Sequence, residues 1–169
     1  YILQKVRKIF GNIKAGYVGT LDPLASGFLP IALGSATKTI KLIEDSCKEY
    51  IFEVKWGESS MTGDLEGELK EKTKIIPNEN EIRETIDNFV GIYHQTPPKF
   101  SSKKINGLRA YKLAKKKINF ELKKERKKIY DLKIVNLVSK AKASFFVKCS
   151  SGTYVRSLAE DIAKSMKTY

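Results

Sequence analysis

The stretch Lys142-Ala-Ser-Phe-Phe-Val-Lys-Cys-Ser-Ser-Gly-Thr-Tyr-Val-Arg-Ser-Leu-Ala-Glu-Asp-Ile-Ala-Lys-Ser-Met166 changes its hydrophobic period once, and that change decides the fold class. Up to Ser150 the period is two. Ala143, Phe145, Val147 and Cys149 fall on one side and Ser144, Phe146 and Lys148 on the other, as in a strand with one buried face. Ser151-Gly152-Thr153 then turns the chain, and Leu158, Ile162, Ala163 and Met166 recur at helical spacing, predicting a helix over Val155 to Met166. Working outward, Lys127 to Val138 reads as a second strand. Lys48 to Trp56 reads as a third, with Tyr50, Phe52, Val54 and Trp56 on one face and Ile51, Glu53 and Lys55 on the other. Asn78 to Val90 fits a helix with Asn78 as cap, Glu81 as its box partner and Ile82, Ile86, Phe89 and Val90 on the apolar side. Strands and helices are mixed rather than alternating βαβ, so the expected class is α+β with a mixed, mainly antiparallel sheet flanked by helices and loops.

The remaining segments are less regular. Ile2-Leu3, Val6 and Ile9-Phe10 have helical spacing with basic residues between them, and the chain begins inside this pattern without a cap, as if sequence preceded it. Gly11 to Gly34 is punctuated by glycine and proline and predicts a structured loop entering a short strand, Phe28 to Leu33, followed by a helix over Ala36 to Asp45. Glu58 to Thr73 is polar and acidic, hence a loop or hairpin. Gln95 to Gly107 (QTPPKFSSKKING) is too rich in proline, serine and glycine for regular structure, and Leu108 to Lys117 looks like a short basic helix after it. Together they suggest an exposed basic arm.

With 169 residues and 41% hydrophobic content, the chain has enough material for one domain with a real core. Its net charge of +13 points to a polyanionic partner, nucleic acid before an anionic membrane surface. Of 32 basic residues only five are arginine, so lysine-rich composition alone is the bland explanation. The distribution argues against it: residues 44 to 94 hold 6 basic and 13 acidic residues, whereas 95 to 169 hold 20 and 5. No apolar run reaches membrane-spanning length and no secretory signal opens the chain, so a cytoplasmic protein is expected. Two cysteines without a CxxC pair and a single histidine, His94, cannot assemble a disulfide framework or a zinc cage.

Several side chains invite a chemical reading beside a structural one. Asp22 is the only acidic residue among the first 43. It either caps its own Asp-Pro turn or, as a lone carboxylate in an apolar glycine-shaped loop, shifts its pKa or takes a cation as partner. Arg156 sits where strand, glycine turn and helix meet, in a first helical turn whose dipole disfavours a cation, which is a reason to look for its partner. Tyr50 is a core-packing residue by default. Thr62-Gly-Asp64-Leu-Glu-Gly67 superficially suggests calcium ligands but lacks the full loop spacing, and a metal reading is rejected. His94, with no ligand-spaced partner, is expected in a loop or the core.

Four motifs in order, Gly19-Thr-Leu-Asp-Pro-Leu-Ala-Ser-Gly27, Lys48-Glu-Tyr50, Gln95-Thr-Pro-Pro-Lys-Phe-Ser-Ser-Lys-Lys104 with Gly107 and Tyr111, and Gly152-Thr-Tyr-Val-Arg156-Ser-Leu158, together resemble the TruB family of tRNA pseudouridine synthases across nearly the whole chain. The resemblance implies a pseudouridine synthase fold. It also implies isomerisation of uridine-55 in the T-loop of tRNA to pseudouridine, without metal, nucleotide or organic cofactor. In that family's terms Asp22 is the catalytic aspartate, which either attacks the ribose C1′ or acts as base at C2′. Tyr50 stacks on the flipped base and helps remove the C5 proton, and Arg156 pairs with the aspartate. Leu158 belongs to a pocket wall, and Lys104 and Tyr111 belong to the arm, about residues 95–117, that closes over the RNA. Where the family usually has histidine in Gly-His-x-Gly-Thr-Leu-Asp, this chain has Tyr17, which can still stack and donate one hydrogen bond. Family members extend beyond both ends of this sequence, often into a PUA domain, so residues 1–169 correspond to a catalytic domain incomplete at both ends and without the PUA module.

The implied chemistry suits these residue types. Cleaving an N-glycosidic bond develops positive charge at C1′, which one carboxylate stabilises or traps. Hydrolytic glycosidases need two carboxyl groups because one handles water; here the uracil is retained and rejoined through C5. Zinc base deaminases are disfavoured by the absence of HxE and PCxxC. Guide-RNA-dependent pseudouridine synthases share the GTLDP core, but Leu24-Ala25-Ser26-Gly27 and the QTPPKFSS arm look like the stand-alone bacterial type. The alternative from another class is a non-catalytic module that grips the T-arm and helps tRNA fold. Nothing in the sequence requires a protein partner or more than a monomer.

Overall fold

Apolar residues at Ile2, Leu3, Val6 and Ile9 coil the opening of the chain into α1 (Ile2–Ile9). A computed structural model describes all residues, Tyr1 to Tyr169, and the chain divides into two units, Tyr1–Ser46 and Cys47–Tyr169. In the first unit α1 is followed by β1 (Ala15–Tyr17) and β2 (Ile31–Leu33), an antiparallel pair in the register Ala15 with Leu33 and Tyr17 with Ile31. The second strand is shorter than its apolar run predicts. Pro30 has no N–H to contribute to a ladder, and Phe28 is 98% exposed. A 3₁₀ turn, Gly34–Thr39, leads into α2 (Ile40–Glu44), so the helix expected over Ala36 to Asp45 is split. The Thr37 and Thr39 hydroxyls donate to the Gly34 and Ala36 carbonyls, local bonds that compete with the α-helical ladder. Val18 is the one buried apolar residue of this unit. The long connection between β1 and β2 carries Asp22.

The second unit contains β3 (Lys48–Lys55), β4 (Glu58–Ser59), β5 (Lys70–Glu71), α3 (Glu79–Asp87), β6 (Gly91–Gln95), β7 (Lys104–Ile105), β8 (Leu108–Arg109), α4 (Ala110–Lys115), β9 (Glu125–Ser139), β10 (Lys142–Cys149) and α5 (Val155–Ser165). Its four-stranded sheet has the order β3-β10-β9-β6, with every neighbouring pair antiparallel. The class is therefore α+β with an antiparallel sheet. The two-residue period read from sequence is borne out on both central pairings: Phe145 lies opposite Phe52 and Ile134, and Val147 opposite Tyr50 and Leu132. Ala143, Phe145, Val147 and Cys149 have no exposed surface and face α5, whose Leu158, Ile162 and Ala163 are buried with them. Phe145 stacks on Phe52 at 5.4 Å between ring centroids and meets the Trp56 edge at 6.1 Å. The charges on the opposite face of the sheet pair across strands: Lys148 with Glu49 at 3.0 Å and Lys142 with Glu53 at 2.9 Å.

The helix after Asn78 is capped as the sequence predicts. The Asn78 side chain accepts from the Glu81 amide while the Glu81 carboxylate accepts from the Asn78 amide. It ends at Asp87, however, and Val90 is exposed rather than on its apolar side. Three further expectations change. Gly91–Gln95 forms the edge strand β6, so Gln95 ends a strand rather than opening the irregular segment. His94 stands exposed on that strand opposite Arg126, in neither a loop nor the core. The basic helix begins at Ala110, not Leu108, because Asn106 and Gly107 both take positive φ, 48° and 84°. That pair closes a tight β7–β8 hairpin, for which an Asn-Gly sequence is suited.

Candidate functional site

In the first unit, Asp22 lies on the loop between β1 and β2, where Thr20 to Phe28 are all exposed, and the Asp22 carbonyl accepts from the Ala25 amide at 2.9 Å. The apolar enclosure anticipated around this carboxylate is absent from the loop itself: Leu24 is 63% exposed. Tyr17, on β1, is 44% exposed, so its ring is presented rather than packed.

In the second unit the sheet and α5 position two more of the candidate side chains. Tyr50 lies on the inward face of β3, partly buried against the core. Arg156 occupies the first turn of α5. Its side chain is only 14% exposed, which rules out a simple surface arginine. The Nη1 atom donates to the Thr62 carbonyl at 2.7 Å and to the Phe100 carbonyl at 3.3 Å, and Nε lies 3.8 Å from Asp64 Oδ2. These carbonyls and the carboxylate answer the dipole mismatch noted in the sequence. A cleft of about 240 Å³ opens beside Arg156 and is lined also by Ser60, Asp64, Ala159 and Lys164.

The start of α5 is held by β6 and the residues after it. Gln95 is fully buried, and its amide clamps the Tyr154 backbone: Oε1 accepts from the Tyr154 N–H at 2.7 Å and Nε2 donates to the Tyr154 carbonyl at 3.0 Å. Ser157 Oγ donates to the Thr96 carbonyl at 2.8 Å. One strand position away, the Tyr93 hydroxyl donates to Asp161; burial first, then that carboxylate, pushes its phenol well above the ordinary value. The sequence motifs include Gln95 and Ser157 but give neither of them, nor Tyr93, a role of its own. The inward alternation of Gly91, Tyr93 and Gln95 is the signal that could have marked Gln95 as buried.

Leu158 has no exposed surface and lies within the core beneath α5. Lys104 is exposed on β7, while Tyr111 is half-buried on α4. The arm is tied to the sheet at Glu125, whose carboxylate pairs with Lys103 of the arm and with Lys127 of β9 at 3.1 Å. No group of three or more His, Cys, Asp or Glu side chains is placed to hold a metal ion, and no helix is long and apolar enough to cross a membrane.

Comparison with known proteins agrees with the motif pattern. The chain is 45% identical over 164 residues to tRNA pseudouridine synthase B of Chelativorans sp. (strain BNC1), covering 97% of this chain and 53% of that protein. It is 46% identical over 168 residues to tRNA pseudouridine synthase B of Rickettsia conorii (strain ATCC VR-613 / Malish 7), covering 99% and 49%. The chain thus spans about half the length of the curated relatives it matches. Among solved structures it superposes on a chain of a Cbf5-Nop10-Gar1 complex with a TM-score of 0.68 at 27% identity, over 98% of this chain and 40% of that one. A chain of an H/ACA RNP bound to a substrate RNA containing 2′-deoxyuridine shares the fold, with a TM-score of 0.65 at 22% identity, over 98% and 38%. The family model described as TruB family pseudouridylate synthase, N-terminal domain, matches residues 7–155, and the chain belongs to that family.

Proposed function

We propose that the chain carries the catalytic part of a tRNA pseudouridine synthase that isomerises uridine-55 of the T-loop, breaking C1′–N1, turning the uracil and rejoining it through C1′–C5. The observation that carries the reading is the match of 45% over 164 residues to a tRNA pseudouridine synthase B, a span that includes Asp22, Tyr50 and Arg156. Asp22 is proposed to act at the ribose, stabilising the positive character that develops at C1′ or trapping it covalently. Arg156 is its proposed charge partner, Tyr50 stacks on the extruded base and assists loss of the C5 proton, and Leu158 backs the apolar wall from within the core. Tyr17, Lys104 and Tyr111 are proposed to hold the RNA. Extruding the nucleotide costs a few kcal/mol, roughly, which phosphate contacts from the basic arm offset. The reaction as proposed needs no cofactor, and the chain is proposed to act on the T-arm as a monomer in the cytoplasm.

The test is tritium release from a T-arm stem-loop carrying C5-labelled uridine. Release that disappears with Asp22→Asn and with a stem-loop lacking the target uridine supports the assignment. RNA binding without release by the wild-type chain refutes catalysis by this portion and leaves a T-arm-binding module.

A further inference from the structure

The stretch from Gln95 to Lys128 holds 13 basic residues and two acidic ones, Glu121 and Glu125. Glu121 is exposed and stands outside the ion pairs of the arm. Glu125, at the start of β9, takes two ammonium groups at once: Lys103 of the arm on Oε1, and Lys127 of its own strand on Oε2 at 3.1 Å. The two lysines are held differently. Lys127 is 13% exposed and lies against the turn before α5, its Nζ 2.9 Å from where a Cβ on Gly152 would stand. Lys103 is 43% exposed. Its carbonyl accepts from the Ala110 amide at 2.7 Å, which pins the backbone at the base of the β7–β8 hairpin and leaves the side chain to swing on its four-carbon stem.

We propose that Glu125 holds Lys103 in the free protein in competition with RNA, and that a backbone phosphate of the T-arm takes the lysine over on binding; the inference rests on the arm holding RNA as proposed above. Carboxylate and phosphate oxygens are alternative acceptors for the same ammonium group. The exchange does not strand the carboxylate, because Lys127 stays on Oε2 when Lys103 leaves Oε1. Lys104, the next residue, stands outside the ion pairs as Glu121 does. Two adjacent lysines therefore meet RNA on different terms, Lys104 directly and Lys103 only by displacing Glu125. An ion pair this exposed is weak, so the carboxylate lowers RNA affinity a few-fold rather than blocking it.

The sign of one substitution separates competition from support. In the full chain, Glu125→Gln is expected to tighten T-arm stem-loop binding about threefold at fixed salt, measured by filter binding. A carboxylate that steadied Lys103 for RNA would weaken binding when removed. Glu121→Gln changes the net charge equally four residues away and controls for the general field of the protein; it is expected to gain less than about 1.5-fold. In a Lys103→Ala background Glu125→Gln should gain no more than Glu121→Gln, since no lysine is left to release. Weaker binding by Glu125→Gln, a gain equal to that of Glu121→Gln, or a gain that persists without Lys103 overturns the proposal. A readout without RNA comes from the free chain. Burial pushes the Glu125 carboxyl up and the two lysine bonds outweigh it, so Lys103→Ala should raise its midpoint in a carbon NMR titration; an unmoved midpoint also overturns the proposal. A chain that binds the stem-loop without releasing tritium refutes catalysis and leaves this comparison intact, whereas one that binds no stem-loop refutes the RNA-holding arm and the exchange together.

Discussion

Replacing Gln95 by leucine isolates the link between the sheet and the helix that carries Arg156. Leucine keeps the approximate volume and suits a fully buried site, but it offers no partner to the Tyr154 N–H and carbonyl, which Gln95 meets at 2.7 and 3.0 Å. Both groups belong to the residue that precedes α5, at part-buried positions where water replaces the lost bonds poorly. The Tyr154 carbonyl keeps the Leu158 N–H at 3.1 Å, so leucine leaves one group, the Tyr154 N–H, without a partner. Leaving a buried donor unpaired costs about 1–3 kcal/mol, and partial access of water puts it at the lower end. Unfolding free energy should fall by about 1–2 kcal/mol, with the added apolar surface of leucine offsetting only part of this. For a chain of this size that corresponds to a fall in melting temperature of about 2–8 °C. Urea denaturation followed by circular dichroism measures the first quantity, with an unchanged m-value required for the comparison. Gln95→Glu should do no better: it retains an acceptor for the Tyr154 amide but turns a second oxygen toward the Tyr154 carbonyl. A loss under about 0.5 kcal/mol for Gln95→Leu would refute the clamp, since the two bonds would then carry none of the attachment of α5.

Three other outcomes follow from the geometry. Phe145→Ala removes a ring with no exposed surface from between Phe52 and Trp56 and should cost about 3–5 kcal/mol in urea denaturation; a loss under about 1.5 kcal/mol would mean that the sheet-to-helix core is not tightly packed. Burial pushes the Glu125 carboxyl up, but hydrogen bonds from Lys103 and Lys127 prevail and hold it below its ordinary value of 4.5. Its contribution to stability is therefore present above pH 4.5 and lost as pH falls through the lowered folded value, so the urea midpoint of wild type should drop further on acidification than that of Glu125→Gln. Parallel pH curves would remove Glu125 as the tether of the arm. Lys104→Ala should weaken T-arm binding and reduce the slope of log affinity against log salt by about 0.7–0.9, the share of one phosphate contact; an unchanged slope would exclude that contact.

How much of this was legible before the structure depended on whether a residue's environment is set locally. The alternation in Lys48 to Lys55 and Lys142 to Cys149 survives because an antiparallel sheet with one face on a helix requires it, whatever the register. The Asn78–Glu81 box is equally local, since both reciprocal bonds fall within four residues. Boundaries failed where side chains or turn geometry competed with the helix, at Thr37 and Thr39 and at Asn106-Gly107. Among candidate site residues, Tyr50 was placed on the correct face, and Arg156 was flagged by its poor fit to a helix N-terminus.

Gln95 and the partners of Arg156 were opaque for a different reason. A buried amide or guanidinium is tolerable only with its partners, and those partners lie far along the chain: Tyr154 is 59 residues from Gln95, and Thr62 is 94 from Arg156. Read locally, Gln95 opens a proline-rich loop and Asp64 looks like a fragment of a cation site. Only the pairing of β6 with β9, which fixes the end of β6, and the return of β10 into α5 bring these groups to the same helix turn. The consequence for the proposed reaction is that the guanidinium of Arg156, carried on α5, is bonded both to the loop at Thr62 and to the arm at Phe100. Movement of the arm against RNA would pull on the Phe100 bond, the longest of the arginine's carbonyl contacts at 3.3 Å, while the Thr62 bond at 2.7 Å resists it. The Gln95 clamp fixes the start of the helix that carries the arginine, so losing it should affect turnover before it affects RNA affinity.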